Sequence, residues 1–115
     1  MNVELFQQWV DTYYKKRGWS DLDIFIRVTF LFEEAGEVDR SVRAIELGRE
    51  DHDIVDTDLK AELASEIGDV LGNLMVIANH YDLSFEDIFK MHVDKLDARY
   101  EAYMNKQTLP TDEKK

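Results

Sequence analysis

The sequence predicts an all-α fold, a four-helix, bundle-like domain, on three observations. Apolar residues recur at three- and four-residue spacing through four long stretches, no β-type alternation persists, and proline occurs once in 115 residues. Four such stretches divided by short polar breaks predict four helices sharing one core.

In the first stretch Val3, Phe6, Val10 and Tyr13 share a helix face, and Gly18 ends the helix. A second helix begins near Asp21 or Asp23 and runs to about Leu47. Its apolar positions, among them Phe25, Ile26, Val28, Phe30, Leu31, Val38, Val42 and Ile45, cover most of its circumference, which predicts a central or interface helix. Residues 48 to 57 form a polar, acidic connection, and Thr57 or Asp58 caps a third helix reaching about Tyr81. There Leu63, Ile67, Val70, Leu71, Leu74 and Ala78 form the expected core stripe, with Glu66, Asp69, Asn73 and His80 on a polar stripe roughly 110° away. Ser84-Phe85-Glu86-Asp87 resembles a capping box for a fourth helix with Ile88, Phe89, Leu96, Tyr100 and Tyr103 inward. Residues 1–105 are expected to form one domain, and residues 106–115, with Pro110 and mixed charges, a flexible tail.

Composition narrows the function. No cysteine is present and the N-terminus has no signal-peptide pattern, so the expected location is the cytoplasm. The longest apolar run, Val70 to Ala78, is broken by Gly72 and Asn73 and is too short to span a bilayer, so no membrane partner is expected. A net charge of −11 argues against nucleic-acid binding, which needs clustered Lys and Arg to neutralise phosphates.

Two acidic motifs stand inside the apolar helices: Glu33-Glu34-Ala35-Gly36-Glu37 on the second and Glu66-Ile67-Gly68-Asp69 on the third. Glu34 and Glu37 lie on one face at i, i+3, as do Glu66 and Asp69, and Glu33 joins Glu37 at i, i+4. Side by side, the two helices set carboxylate pairs against each other; Arg40 lies three residues from Glu37 and Lys60 precedes the second motif, but no Lys or Arg is spaced to neutralise Glu33, Glu34, Glu66 and Asp69 together. Without counter-charge such acids repel and lose hydration. A hard divalent cation, Mg²⁺ with Mn²⁺ as a possible substitute, resolves the conflict and commonly shares its coordination sphere with substrate phosphates. A triphosphate brings about four negative charges of its own, each close like-charge pair costing roughly 4 kcal/mol at an effective dielectric of ~20, so this acidic chain would take one up only together with a metal.

The paired motifs resemble the E-E-x-x-E and E-x-x-D signature of the MazG-type all-α nucleoside triphosphate pyrophosphohydrolases. The resemblance runs from about Leu5 to Tyr100 and takes in Leu31-Phe32 through Val38, the run from Glu66 to Leu74, and Lys95-Leu96-Asp97-Ala98-Arg99. It implies cleavage of a nucleoside triphosphate between its α and β phosphorus atoms, giving the monophosphate and pyrophosphate, and house-cleaning of the nucleotide pool. From the residues themselves, Glu34, Glu37, Glu66 and Asp69 are the expected metal ligands, and Glu33, Glu37 or a neighbouring acid the group that orients or deprotonates water.

The remaining candidates have a structural alternative each. Asn73, one turn beyond Asp69, is placed to orient a metal-bound water, to contact a sugar, or to satisfy a backbone group. Lys95 and Arg99, at i, i+4, are placed to grip phosphates, from an adjacent subunit if need be, or to snorkel over the core; the resemblance implies phosphate binding. Trp19 is placed to stack on a base or to plug the core. No Glu is followed three residues later by His, which disfavours a di-iron site. Asp51, Asp53 and Glu62 imitate a calcium loop, but Val55 and Asp56 stand where an oxygen ligand and a Gly belong. The breadth of apolar surface on the second helix implies a homodimer or homotetramer. Within the same chemistry the alternatives are pyrophosphatases specialised for dUTP, dCTP or phosphoribosyl-ATP; outside it, a non-catalytic, nucleotide-binding helical regulatory module.

Overall fold

Asn2 opens the first helix: its side-chain oxygen accepts from the Leu5 N–H at 2.8 Å, satisfying one of the donors that a helix start leaves free. This helix, α1, is Val3–Lys16, and Gly18, with φ 72°, turns the chain out of it. A single 3₁₀ turn, Trp19–Asp21, leads to Asp23, whose carboxylate accepts from the Phe25 N–H at 2.8 Å and caps α2, Ile24–Leu47. The third helix, α3, is Asp56–His80, and the fourth, α4, is Phe85–Gln107. The structure is a computed structural model describing residues 1–48 and 56–107, with side chains from 58 onward in the second segment. Positions 49–55 of the expected acidic connection, with the calcium-loop residues Asp51 and Asp53, and positions 108–115 of the expected tail lie outside the described residues, and α3 begins at Asp56, ahead of the expected cap at Thr57 or Asp58. Helix α4 itself continues two residues past the expected boundary at 105.

The fold is all-α, with no strand among the described residues. Helices α2 and α3 form an antiparallel pair in the most extensive packing of the chain, and α1 lies against α3. The α3–α4 corner is a Schellman turn: Asp82 takes the left-handed conformation (φ 56°), the Asp82 N–H donates to the Asn79 carbonyl at 3.2 Å, and the Leu83 N–H donates to the Ala78 carbonyl at 2.8 Å. The core gathers where α1, α3 and the first turn of α4 meet, on Val10, Met75, Ala78 and Phe85, with Phe6, Leu71 and Ile88 packed around them. Each large side chain buried there contributes about 1.5–3 kcal/mol.

Three sequence expectations change. On α2 the face against α3 carries Arg27, Leu31, Glu34, Val38 and Ser41, while Phe25 and Phe32 are 79% and 71% exposed. The broad apolar surface of α2 is thus real but largely uncovered within one chain. On α3 the most buried side chain is Met75, whereas Ile67 and Leu74 face outward, because α1 and α2 together enclose the side of α3 that bears Asn73. On α4 only Phe85 and Ile88 pack inward; Phe89, Leu96, Tyr100 and Tyr103, expected inside, are each about half exposed or more. The reason is the direction of α4, which packs against α1 near its start and then leaves the body of the molecule. The radius of gyration is accordingly 19.7 Å, against about 13 Å for a compact domain of this size. No helix among the described residues is long and apolar enough to cross a membrane.

Candidate metal and nucleotide site

The antiparallel pairing of α2 with α3 places Glu34 opposite Glu66 and Asp69. Carboxylate oxygens from these three residues lie within 4.8 Å of one another, Glu34 and Glu66 half-buried and Asp69 exposed. Burial, then Asp69, Glu66, Glu37 and Glu33, push the Glu34 carboxyl above the usual carboxylate range. Lost hydration, then Asp69, Glu37 and Glu62, push Glu66 the same way, with Arg40 opposing. Three oxygen donors that repel one another and keep access to water on the Asp69 side fit a hard divalent cation, whose charge removes the repulsion.

The other acids of the first motif take different positions. Glu37 is half-buried, near enough to raise the pKa of both Glu34 and Glu66, and its carboxylate meets Arg40 at 3.3 Å in a largely exposed pair. Glu33 is exposed, on the arc of Ile26 and Phe30, and falls outside the three-carboxylate group. Helical spacing alone put Glu33 and Glu37 together; the packing rotates α2 so that Glu34 points most directly at α3.

Beside the acids opens a cleft of ≈ 330 Å³ that runs from Glu34 and Asp69 to Asn73, Arg27 and a wall formed by Tyr14, Trp19, Leu22 and Phe30. That volume lies at the lower end of the range for small-molecule sites, about 300–1,000 Å³. Trp19 is 38% exposed, its indole edge-on to Tyr13 and Tyr14 with ring centres at 5.7 and 5.2 Å, and the Arg17 guanidinium lies 4.5 Å from its ring centre. It is a rim residue of the cleft. Asn73 is buried and its amide is already engaged: Nδ2 donates to the Asp69 carbonyl at 2.9 Å and Oδ1 accepts from Arg27 at 3.2 Å. Of its three expected roles, the satisfaction of a backbone group is the one these contacts display. Lys95 and Arg99 lie on exposed stretches of α4, and neither lines the cleft.

Three residues of the cleft escaped the sequence reading, Leu22 and two polar ones, Arg27 and Tyr14. Arg27 is 6% exposed, an isolated cation within the apolar run from Ile24 to Leu31 and seven residues, two helical turns, before Glu34. That isolation, on the face that carries Glu34, was the available signal. Tyr14 brings its hydroxyl beside Gly72, where an added Cβ would approach the phenolic oxygen to 3.2 Å, so the glycine makes room for it one turn from Asp69. Burial raises the Tyr14 pKa, Arg27 opposes, and Asp69 and Glu34 raise it further, which places the phenol within the field of the acids.

Comparison with known proteins agrees with this arrangement. The Bacillus subtilis (strain 168) protein named "Uncharacterized protein YvdC" is 46% identical over 98 residues, covering 83% of this chain and 92% of that protein. No solved structure matches. The model of the MazG nucleotide pyrophosphohydrolase domain matches residues 27–104, a span that holds both acidic motifs and begins at the buried arginine. On that match, over more than half of its length, the chain belongs to the MazG nucleotide pyrophosphohydrolase family.

Proposed function

We propose that this chain is a Mg²⁺-dependent nucleoside triphosphate pyrophosphohydrolase, with Mn²⁺ as a substitute ion, that converts an NTP or dNTP and water into the monophosphate and pyrophosphate. Its role in this reading is house-cleaning of the cytoplasmic nucleotide pool. The observation that carries it is the meeting of Glu34, Glu66 and Asp69 within 4.8 Å at the edge of an aromatic cleft, in a chain of this family.

Glu34, Glu66 and Asp69 would hold the ion, and Glu37 would be available as a further ligand, its exposed pair with Arg40 being of a kind that contributes only about 0–1 kcal/mol. Bound there, a divalent cation neutralises the polyphosphate and makes a water more acidic. Glu37 or Glu33 orients the attacking water and takes its proton; the water oxygen bonds to phosphorus as the α–β bridge breaks, and the electron pair leaves with pyrophosphate. Trp19, Phe30 and Tyr14 form the apolar wall against which the base rests. Asn73 supports substrate binding by fixing Arg27.

The chain acts as a homodimer or homotetramer in this reading. The exposed Leu96, Tyr100 and Tyr103 on α4 and Phe25 and Phe32 on α2 are the surfaces a second copy covers, and Lys95 and Arg99 then steady the leaving pyrophosphate from across that interface. Light scattering at micromolar concentration should report at least a dimer, and Leu96→Asp should shift it toward monomer with loss of turnover. A wild-type monomer would sink the assembly. The hydrolase itself is tested by pyrophosphate release over a panel of nucleoside and deoxynucleoside triphosphates with Mg²⁺, Mn²⁺ or excess chelator. Turnover that persists in chelator, or release of orthophosphate alone, would overturn it.

A further inference from the structure

Arg27 carries more than packing. It is 94% buried, and among the described residues no carboxylate lies within ion-pair distance of it, an arrangement that ordinarily costs several kcal/mol unless hydrogen bonds and ring contacts offset it. What holds it is a clamp. One terminal nitrogen donates to the Trp19 carbonyl at 2.7 Å and the other to Asn73 Oδ1 at 3.2 Å, while the rings of Tyr14 and Phe30 lie 5.3 and 5.6 Å from the guanidinium carbon. Both flanking rings and both hydrogen-bonded groups also border the cleft that reaches Glu34 and Asp69. A guanidinium has five N–H donors. Two are used by the clamp, and the others meet no acceptor among the described residues.

Its distance from the acids decides what it could recognise. Arg27 precedes Glu34 by two turns, about 10 Å along α2. Its two hydrogen bonds go to Asn73 and the Trp19 carbonyl and none to the three carboxylates, so it stands beside the acidic group and not within it. It lies where the far end of a nucleotide would reach if its phosphates were at the acids, among side chains suited to a flat ring. Arginine only donates, so the edge it meets must accept.

We infer that Arg27, fixed by Asn73 and the Trp19 carbonyl, is the specificity-determining residue of the cleft and reads the carbonyl at C6 of a purine or C4 of a pyrimidine, so that the enzyme prefers guanine, hypoxanthine, uracil and thymine over adenine and cytosine, which carry an amino group at that position. This rests on the nucleotide reading of the site given above. A fork directed at O6 and N7 suits the 6-oxo purines best, and an exocyclic amino group in place of the carbonyl turns a donor against a donor.

The test uses near-isosteric pairs: inosine against adenosine triphosphate, and dUTP against dCTP. With wild-type protein and Mg²⁺, kcat/KM should favour the keto member of each pair by about 10-fold or more. Arg27→Lys, which keeps the charge but loses the fork, should bring both ratios near one; a merely structural role would lower both members equally and leave the ratios intact. Asn73→Ala, which frees one side of the clamp, should narrow the ratios even if Arg27→Lys does not fold. Equal rates within each wild-type pair, or ratios unchanged in the folded variants, overturn the inference. Calorimetric affinities for the same pairs in Ca²⁺ separate it from the hydrolase reading. Skewed affinities without turnover would refute hydrolysis and uphold the base preference, and turnover with equal affinities and equal rates would do the reverse.

Discussion

Helices α2 and α3 on one side and α4 on the other were built from the same kind of sequence, yet they end in opposite circumstances. The α2–α3 pair is held along its length, and its contact face includes Arg27, Glu34, Ser41 and Asn73, polar groups that a stability-only design would replace. Beyond its first turn α4 is exposed, and its apolar side chains face solvent within one chain. The first region gives up stability to hold charged groups within a packed frame; the second leaves its apolar surface uncovered within one chain. In a chain of 115 residues the core is small, and among the described residues it does not cover both regions.

The largest expected effect falls on the first region and leaves its frame intact. Asp69→Asn and Glu34→Gln each remove a charged oxygen at nearly constant volume, and hydrolysis should fall by more than roughly 100-fold, since changes one layer outside a metal's own ligands already cost about 10–100-fold. Helicity by circular dichroism should not change. A folded variant that keeps more than a tenth of wild-type kcat/KM would detach these acids from the chemistry.

The next effect falls on the joint between the regions. Gln7 is a buried amide on α1 whose Nε2 donates to Asn79 Oδ1 and to the Leu83 carbonyl, while its Oε1 accepts from the Phe85 N–H, all at 2.8 Å. It caps α4 from 78 residues away and fixes the corner from which α4 departs. Gln7→Leu leaves those three groups without their partner and should cost about 1–3 kcal/mol in chemical denaturation, with faster hydrogen exchange at the start of α4 than in the α2–α3 pair. Gln7→Glu keeps the acceptor for the Phe85 N–H and should cost less. Equal loss of protection in both regions would mean that the two are not separately held.

How much of this was legible follows from the range of each interaction. The spacing of Glu34 from Glu37 and of Glu66 from Asp69 is fixed by the helix itself, so the acidic faces could be read from the chain. That Glu34 rather than Glu33 turns toward α3 depends on the rotation of α2, which buries Arg27, Ser41 and Ala44 on one side and which no single helix encodes. The course of α4 was hidden for a related reason. Leu96, Tyr100 and Tyr103 announce an apolar face, but periodicity says only that such a face wants cover, not that the cover lies in the same chain. Ser84 looked like the cap of α4, yet its Oγ accepts from the Asp87 N–H at a long 3.4 Å, and the shorter bond comes from Gln7. Arg27 was passed over because a single cation in an apolar run is ordinary until its neighbours are known.

The smallest expected effect sharpens the claim that the acidic face is held against its own repulsion. Glu34 and Glu66 have folded-state pKa values raised above the ordinary carboxylate value by lost hydration and by their acidic neighbours, so between the ordinary and the raised values the folded chain binds more protons than the unfolded one. Stability of the metal-free protein therefore falls as pH rises through this window, and the relief that protonation brings is complete only below it. A divalent ion supplies the same relief at neutral pH, so added Mg²⁺ should raise Tm more at about pH 8 than at about pH 5, where protons compete for the same oxygens. Because both groups keep contact with water, the repulsion is screened; Glu34→Gln in the absence of metal should raise Tm by only roughly 2 °C near pH 8 and flatten its pH dependence. A metal-free Glu34→Gln variant that melts below wild type at that pH would mean that Glu34 helps to hold α2 against α3, and the contrast between a strained site and its stable frame would fail at its central residue.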